Sequence, residues 1–282
     1  MRIAIASGKG GTGKTTVATA LALVAEGPVQ LLDCDVEAPN AHIFLKPTVG
    51  PAEPVTVPVP HVDQTKCTAC GACGRLCRFS AIVSLKTTAM VFPELCHGCG
   101  GCSLVCESGA ITEVAREVGV IERGRAGEID FVHGRLKVGE AMSPPLIRAV
   151  KARAAGDGLT IIDAPPGTSC PVITALRGVD FVVLVTEPTP FGLNDLTLAV
   201  EMVRALALPA GVLINRADVG DDTVRAYCRD EGVPVLAEIP DDRRIAEAYS
   251  RGVPAVEARP ELRAIFRNVL EAVREHVGDT RR

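Results

Sequence analysis

The chain has 282 residues, of which 47% are hydrophobic and 23% charged, and its net charge is −4. This balance is typical of a globular protein with a sizeable core, and the length suggests about two domains. Aromatic residues make up only 3% of the chain and no basic excess is present, which argues against a nucleic-acid-binding protein.

The N-terminal segment predicts a strand, a glycine-rich loop and a helix. Residues 2–6 are apolar, and a helix is predicted from about Lys14. Segment 8–15 matches the P-loop pattern G-x4-G-K-[ST] in the strand-to-helix context that the motif requires. Lys14 is the expected partner of the β- and γ-phosphates, and Thr15 is an expected Mg²⁺ ligand. The predicted phosphate-binding residues are Gly8, Lys9, Gly10, Gly11, Thr12, Gly13, Lys14, Thr15 and Thr16.

The second apolar strand ends in two aspartates, Asp33 and Asp35. In open parallel sheets, ligands bind at the carboxyl ends of the strands. We therefore expect these carboxylates near the phosphate loop; helix capping or a solvated loop is the alternative.

Eight of the eleven cysteines lie in two runs of the same spacing, C-x2-C-x2-C-x3-C, offset by 29 residues. This spacing is that of bacterial ferredoxins, in which the fourth cysteine of each run binds the other cluster. Arg78 and Glu107 stand where a proline usually follows the fourth cysteine. Two zinc sites are the alternative, but zinc modules usually place C-x2-C pairs at separate ends of a loop. The predicted [4Fe-4S] ligands are Cys67, Cys70, Cys73 and Cys106 for the first cluster and Cys96, Cys99, Cys102 and Cys77 for the second.

The cysteine runs interrupt the pattern of the nucleotide-binding domain. Five prolines between residues 47 and 60 indicate an extended linker, and residues 112–135 resemble a β-hairpin that returns to the core. The predicted organisation is an ATPase domain in two parts, 1–54 and 136–282, with a cluster-binding domain inserted at 55–135.

Four further apolar runs predict buried parallel strands, because each is short, continuous and followed by a helical stretch. They are residues 159–162, 181–185, 211–214 and 233–236. The first ends in Asp163 and the third in Asn215. The apolar stripe that begins at Leu262 predicts a C-terminal helix packed on the sheet rather than a membrane anchor.

The string from Lys9 to Thr16 resembles the P-loop of the MinD/ParA ATPases, which carries an extra early lysine. The resemblance implies an α/β P-loop NTPase fold of the SIMIBI/MinD-like class, with a mostly parallel sheet and helices on both faces. The inserted domain then resembles an α+β bacterial ferredoxin. The resemblance also implies an ATP-dependent homodimer, in which Lys9 reaches the nucleotide of the partner subunit.

The same resemblance assigns roles to residues beyond the loop. Asp35 would position the attacking water and, with Thr15 and Asp163, serve the Mg²⁺ ion. Gly167 would sense the γ-phosphate through its N–H. Asn215 would recognise adenine, and Pro240 would lie beside the base. Lys9, Lys14 and Asp35 are therefore the expected catalytic residues.

The expected function is a MinD-type ATPase that couples ATP-driven dimerisation to electron transfer through two [4Fe-4S] clusters to a redox partner or metalloprotein. No arginine finger is evident, so hydrolysis is expected to be slow without a partner. A spatial organiser with structural or redox-sensing clusters and a metal-cofactor maturation ATPase are the alternatives. No C-x2-C follows Cys106, which disfavours maturation. Without a signal peptide or an apolar span, we expect a cytoplasmic protein that does not associate with membranes.

Overall fold

The structure is a computed structural model that describes residues 1–280. The strands are β1 (Arg2–Ala6), β2 (Val29–Asp33), β3 (Thr48–Val49), β4 (Glu53–Val62), β5 (Ile82–Ser84), β6 (Ala89–Val91), β7 (Ile111–Ala126), β8 (Ile129–Leu136), β9 (Leu159–Asp163), β10 (Phe181–Thr186), β11 (Ala210–Asn215) and β12 (Val235–Ile239). The helices are α1 (Lys14–Val24), α2 (Ala41–Leu45), α3 (Ala72–Leu76), α4 (Gly101–Leu104), α5 (Pro144–Lys151), α6 (Cys170–Leu176), α7 (Pro190–Ala205), α8 (Thr223–Asp230), α9 (Arg243–Ser250), α10 (Ala255–Ala258) and α11 (Leu262–Thr280). A 3-10 turn lies at Pro93–Leu95.

The chain folds into two compact units. The second unit comprises Glu53–Val120 and Leu136–Leu146. The first unit comprises Met1–Ala52, Ile121–Arg135 and the remainder of the described chain from Ile147.

The first unit is built on a mostly parallel sheet, which confirms the predicted α/β class. Its parallel strands follow the order β12-β11-β10-β1-β9-β2-β8. Strands β2, β9 and β10 are buried along their whole length, which explains their continuous apolar sequences. Strand β3 adds antiparallel to β7 at the far edge.

Helices cover both faces of this sheet. Phe266 of α11 packs with Leu21 of α1 and with Ile3 and Val183 of the sheet in one apolar core. Strands β1 and β10 contact α6 and α7 on the opposite face, where the alternate residue Leu184 is fully buried. The apolar stripe of α11 therefore lies in the core. No helix within residues 1–280 is both long and apolar enough to cross a membrane.

The sheet resumes earlier in the chain than the sequence suggested. Residues 112–135 form the expected hairpin, as β7 and β8, but β8 also pairs in parallel with β2, with Val29 opposite Ile129 and Asp33 opposite His133. The polar residues Asp130 and His133 hide this strand, because they break the apolar run that marks the other parallel strands. Strand β12 is also displaced, since it begins at Val235 rather than at residue 233.

The backbone of the second unit repeats with the period of its cysteines. Helices α3 and α4 follow the second cysteine of each run. Left-handed residues occur in three pairs, each 29 positions apart, at Ala69 and Gly98, Gly71 and Gly100, and Ser80 and Gly109. Ala69 and Ser80 adopt this conformation without being glycines, so the fold and not the residue type sets it.

The two halves of the second unit exchange their ends. The N–H of Asp63, ahead of the first run, donates to the carbonyl of Ala110, behind the second run. The N–H of Phe92, ahead of the second run, donates to the carbonyl of Ala81, behind the first run, in the equivalent bond. The unit therefore has an approximate internal twofold symmetry.

Candidate functional site

Glycines shape the loop between β1 and α1. A Cβ at Gly8 would lie 2.1 Å from the carbonyl oxygen of Asp195, so no side chain fits there. Gly13 has a φ of 95° and ends the loop, and its carbonyl accepts the first helical bond of α1, from Val17. The loop therefore packs against α7 at Gly8, while its remaining N–H groups lead to the N-terminus of α1, where the helix dipole favours anions.

A buried lysine and two carboxylates meet beside this loop. Lys14 is 7% exposed and Asp163 is fully buried. Burial lowers the pKa of Lys14, against the opposing effect of Asp163 and Asp35. Burial also raises the pKa of Asp163 to about 7, although the nearby Thr15 hydroxyl and Lys14 ammonium lower it. Burial likewise raises the pKa of Asp35, against the effect of Lys14.

The carboxylate of Asp163 is close to the Thr15 hydroxyl and the Lys14 ammonium but makes no well-formed hydrogen bond to either. Neither of its oxygens accepts a hydrogen bond from any residue within 1–280. A buried carboxylate is costly unless it is paired or coordinates a metal. Asp163, Thr15 and Asp35 supply the hard oxygen donors that Mg²⁺ prefers, so the arrangement fits a magnesium ion bound with a nucleotide.

Asp33 has a different part in the site. One of its oxygens accepts the N–H of Asp35 at 3.1 Å, and the other accepts the N–H groups of Asn40 at 3.1 Å and Ala41 at 3.0 Å. Burial and the neighbouring Asp163 hold the pKa of Asp33 well above its usual range. Because both carboxylate oxygens accept hydrogen bonds from backbone N–H groups, Asp33 holds in place the loop that carries Asp35.

A cleft of about 680 Å³ opens at this point of the first unit. Nine of the predicted site residues line it, namely Gly10, Gly11, Gly13, Lys14, Thr15, Thr16, Asp35, Asn215 and Pro240. Glu187 and Arg243 also line the cleft, as do Arg216 and Tyr249, which sequence reasoning missed. Arg216 directly follows Asn215 at the end of β11, which was the available signal. The cleft is thus lined both by phosphate-binding groups and by Tyr249 and Pro240.

The extra lysine of the loop is paired within its own chain. Lys9 Nζ lies 3.8 Å from a carboxylate oxygen of Glu187, and Arg216 lies 3.6 Å from the other. Glu187 is only 12% exposed, so it holds two cations at the wall of the cleft. In this conformation Lys9 does not extend away from the chain.

Two predicted nucleotide contacts are engaged elsewhere. The side-chain amide of Asn215 donates to the carbonyl of Thr12 at 2.9 Å, which ties β11 to the phosphate loop. The N–H of Gly167 donates to the carbonyl of Ser7 at 3.0 Å. A γ-phosphate would therefore have to displace this bond before Gly167 could contact it.

In the second unit, the cysteines surround two cavities. The first cysteine cavity, of about 20 Å³, is lined by Cys67, Cys70, Cys73 and Cys106. The second cysteine cavity, of about 230 Å³, is lined by Cys77, Cys96, Cys99 and Cys102, and also by Cys73. Each predicted ligand set, with its fourth cysteine taken from the other run, thus borders one cavity. The second cavity has room for a bulky group, whereas the first is much smaller.

Backbone amides favour the thiolate form of both fourth cysteines. Burial raises the pKa of Cys77, but the backbone N–H groups of residues 79–82 outweigh it, so the pKa is lowered. The Ser108 hydroxyl lowers the pKa of Cys106; burial opposes this, and the N–H groups of Ala110 and Ile111 assist it. Thiolate is the form that binds iron, and amides aimed at sulfur are a usual feature around iron–sulfur clusters.

The geometry of the thiols differs from that of a single-ion site. Within residues 1–280, no three His, Cys, Asp or Glu side chains converge on one position for a metal ion. A zinc ion would need four sulfurs about 2.3 Å from one point. A four-iron cluster binds each thiolate at a different iron, so thiols spread around a cavity fit it better.

Cys34, Cys170 and Cys228 lie outside both cysteine cavities. Cys34 and Cys228 are buried, and burial raises the pKa of Cys228 to about 11. Both are therefore small core residues.

The parallel sheet, the glycine loop at the end of β1 and the buried Lys14–Asp163 pair define a P-loop nucleotide-binding protein. The chain matches the CobQ/CobB/MinD/ParA nucleotide binding domain over residues 3–255 and belongs to that family.

Individual proteins support this assignment. The uncharacterized protein MJ0578 of Methanocaldococcus jannaschii is 39% identical over 208 residues, which cover 72% of this chain and 74% of that protein. An iron-sulfur cluster carrier protein of Pyrococcus horikoshii is 30% identical over 111 residues, 34% of this chain and 38% of that protein. The cell division ATPase MinD of Pyrococcus furiosus has a similar fold, with a TM-score of 0.57, 22% identity, and coverage of 97% of this chain and 98% of that chain.

Proposed function

We propose that this protein is a MinD-type ATPase that couples ATP-dependent dimerisation to electron transfer through two [4Fe-4S] clusters to a partner protein. The observation that carries the proposal is the grouping of two exchanged cysteine sets around two cavities, in a chain that also has a P-loop cleft.

The chemistry of the nucleotide site follows from its charges. The loop N–H groups and Lys14 bind the phosphates, and Thr15 and Asp163 hold Mg²⁺. The raised pKa of Asp35 suits a group that orients water and accepts its proton. Burial of Lys14 strengthens its attraction to phosphate, because few waters compete.

Dimerisation would use the extra lysine. Lys9 leaves Glu187 and contacts the nucleotide of the partner subunit, as in the ATPases that this loop resembles. The wide cleft and the absence of an arginine finger from the loop fit slow hydrolysis until a second subunit or a partner completes the site.

The second unit would hold the clusters through its eight thiolates. Cys67, Cys70, Cys73 and Cys106 serve the first, and Cys77, Cys96, Cys99 and Cys102 serve the second. When bound, such clusters supply one-electron transfer. Backbone N–H groups at Cys77 and Cys106 stabilise the negative charge on sulfur.

Cluster delivery is the second candidate, and the names of partial relatives support it. Curated relatives that match about a third of the chain are named iron-sulfur cluster carrier proteins. Eight thiolates that saturate two clusters leave no labile coordination site, which favours electron transfer over donation.

The test is anaerobic reconstitution of the full chain with iron and sulfide, followed by metal analysis and ATPase assays. We expect about eight irons per chain and an ATPase activity that Lys14→Ala abolishes. Cys228→Ala is the matched control, since this buried thiol lies outside both cysteine cavities and should retain all the iron.

The same preparation separates the two candidates. Under electron transfer, dithionite reduces the clusters by one electron each, and they stay on the chain when ATP and an apo-ferredoxin acceptor are added. Loss of iron to the acceptor would establish cluster delivery instead. A chain that takes up no iron, or a Lys14→Ala variant that still hydrolyses ATP, would refute the proposal.

A further inference from the structure

The internal symmetry of the second unit allows its two cysteine cavities to be compared position by position. Residues 29 apart occupy equivalent places, as the paired left-handed residues and the exchanged backbone bonds demonstrate. A residue that lines one cavity therefore has a counterpart in the other, and any difference between them is a difference between the two sites.

Four hydroxyl groups line the first cysteine cavity, at positions 68, 84, 88 and 108, and the counterparts of 68, 84 and 108 line the second. The Ser108 hydroxyl lies 3.6 Å from the sulfur of Cys106, and the Ser84 hydroxyl lies 3.9 Å from the sulfur of Cys73. With both sulfurs ionised, each hydroxyl can only donate to its partner. Two ligand sulfurs of the first set thus have a side-chain donor.

The counterparts in the second cysteine cavity are His97, Glu113 and Phe79, which all line it. Phe79 replaces the hydroxyl of Ser108 with an aromatic ring, which stacks on His97 with centroids 3.5 Å apart and planes 13° apart. Glu113 stands in the place of Ser84. One of its carboxylate oxygens lies 3.2 Å from the point where a Cβ on Gly100 would be, and Gly100 lies between Cys99 and Cys102 in the sequence.

The substitutions at Phe79 and Glu113 act in the same direction on reduction, whereas the exposed Arg78, which also lines the second cysteine cavity, opposes them. A reduced cluster carries one more negative charge, so hydroxyl donors to its sulfurs stabilise it and raise the reduction potential. A carboxylate nearby destabilises the added charge, although Glu113 is exposed and water screens much of its effect. Phe79 offers no donor to a sulfur, and the part of its ring that faces the cavity limits the access of water, although 45% of the residue is exposed.

We propose that Ser108 and Ser84 give the first cysteine set a higher reduction potential than the second set, where Phe79 and Glu113 stand instead. The inference rests on the proposed function. With both clusters bound, an electron on the second would pass to the oxidised first, so that the first gains the electron that the second loses. An electron from a one-electron carrier would therefore reside on the cluster that the first cysteine set holds.

The test is a potentiometric titration of the reconstituted full chain with dithionite, followed by electron paramagnetic resonance. We expect two one-electron steps separated by at least a tenfold preference, which is about 59 mV for a one-electron couple. Ser108→Ala should lower the upper midpoint and leave the lower one unchanged. Phe79→Ser, the mirror-image control, should raise the lower midpoint and leave the upper one unchanged.

Several results would overturn the inference. Two clusters with equal midpoints in the unmodified chain would do so, as would a Ser108→Ala variant that shifts the lower step or shifts both steps equally. If Ser108→Ala does not bind about eight irons, Ser84→Ala and Phe79→Ser decide the question by the same criteria. A chain that binds no iron refutes the proposed function itself, whereas full loading with equal potentials refutes only the inference.

Discussion

The buried carboxylate of Asp163 makes stability depend on pH in an unusual direction. Its pKa is about 7 in the folded chain and 3.8 when exposed. Between these values the folded state keeps a proton that the unfolded state has released. The free energy of unfolding therefore falls as pH rises through this window, and the loss is complete above pH 7.

The size of the effect follows from the gap between the two pKa values. One pKa unit corresponds to about 1.36 kcal/mol, so the full loss is about 4 kcal/mol. About two of these units lie between pH 5 and pH 7. Asp163→Asn cannot ionise, so its stability relative to the native chain should rise by about 3 kcal/mol between pH 5 and pH 8.

The measurement is urea unfolding of both proteins across this pH range, without nucleotide or Mg²⁺. The asparagine amide lacks partners and costs a constant amount of stability at every pH. This cost cancels when the difference in the free energy of unfolding is compared between pH values. Asp157→Asn is the control, because it makes the same chemical change at an exposed position. A flat difference for Asp163→Asn, or one that falls with pH, would show that the carboxylate is not destabilised by burial.

Three further changes test the packing and charge of the first unit. Gly8→Ala should lower the free energy of unfolding by at least about 1–3 kcal/mol in urea, because its Cβ meets backbone, whereas Gly10→Ala, with no atom closer than 4.0 Å, should have little effect on stability. Phe266→Ala should cost about 3–5 kcal/mol in the same assay, since the ring is fully buried; a loss under 1 kcal/mol would contradict its position in the core. Glu187→Gln should tighten ATP binding about three- to tenfold in calorimetry, because it removes a carboxylate that neutralises two cations at the cleft; weaker binding would contradict this account.

Local patterns were sufficient to predict the strands that carry the site. Strands β1, β9 and β10 are short apolar runs with helices between them, and burial on both faces leaves no other pattern available to them. Strand β8 was not predicted because the polar His133 lies inside it. The ring of His133 is 2.8 Å from Glu122 on β7, and such a pair cannot be recognised from the sequence of one strand alone.

Contacts between distant segments were beyond such reasoning. The motif located Lys14 and Thr15, but the pairing of Lys9 with Glu187 depends on how the end of β10 approaches the loop. The bond from Asn215 to Thr12 is of the same kind, since its partners are 203 residues apart. Spacing within a motif is encoded locally, whereas these neighbours are set by the sheet order.

The exchange of ends within the second unit bears on how this segment can vary. Asp63 bonds Ala110 and Phe92 bonds Ala81, so each cysteine run depends on the other for backbone support as well as for its last thiol. Deleting one cysteine run would leave the other run with an unpaired flanking segment and only three sulfurs at its cavity. The two runs therefore form an interlocked pair that can be gained or lost only together.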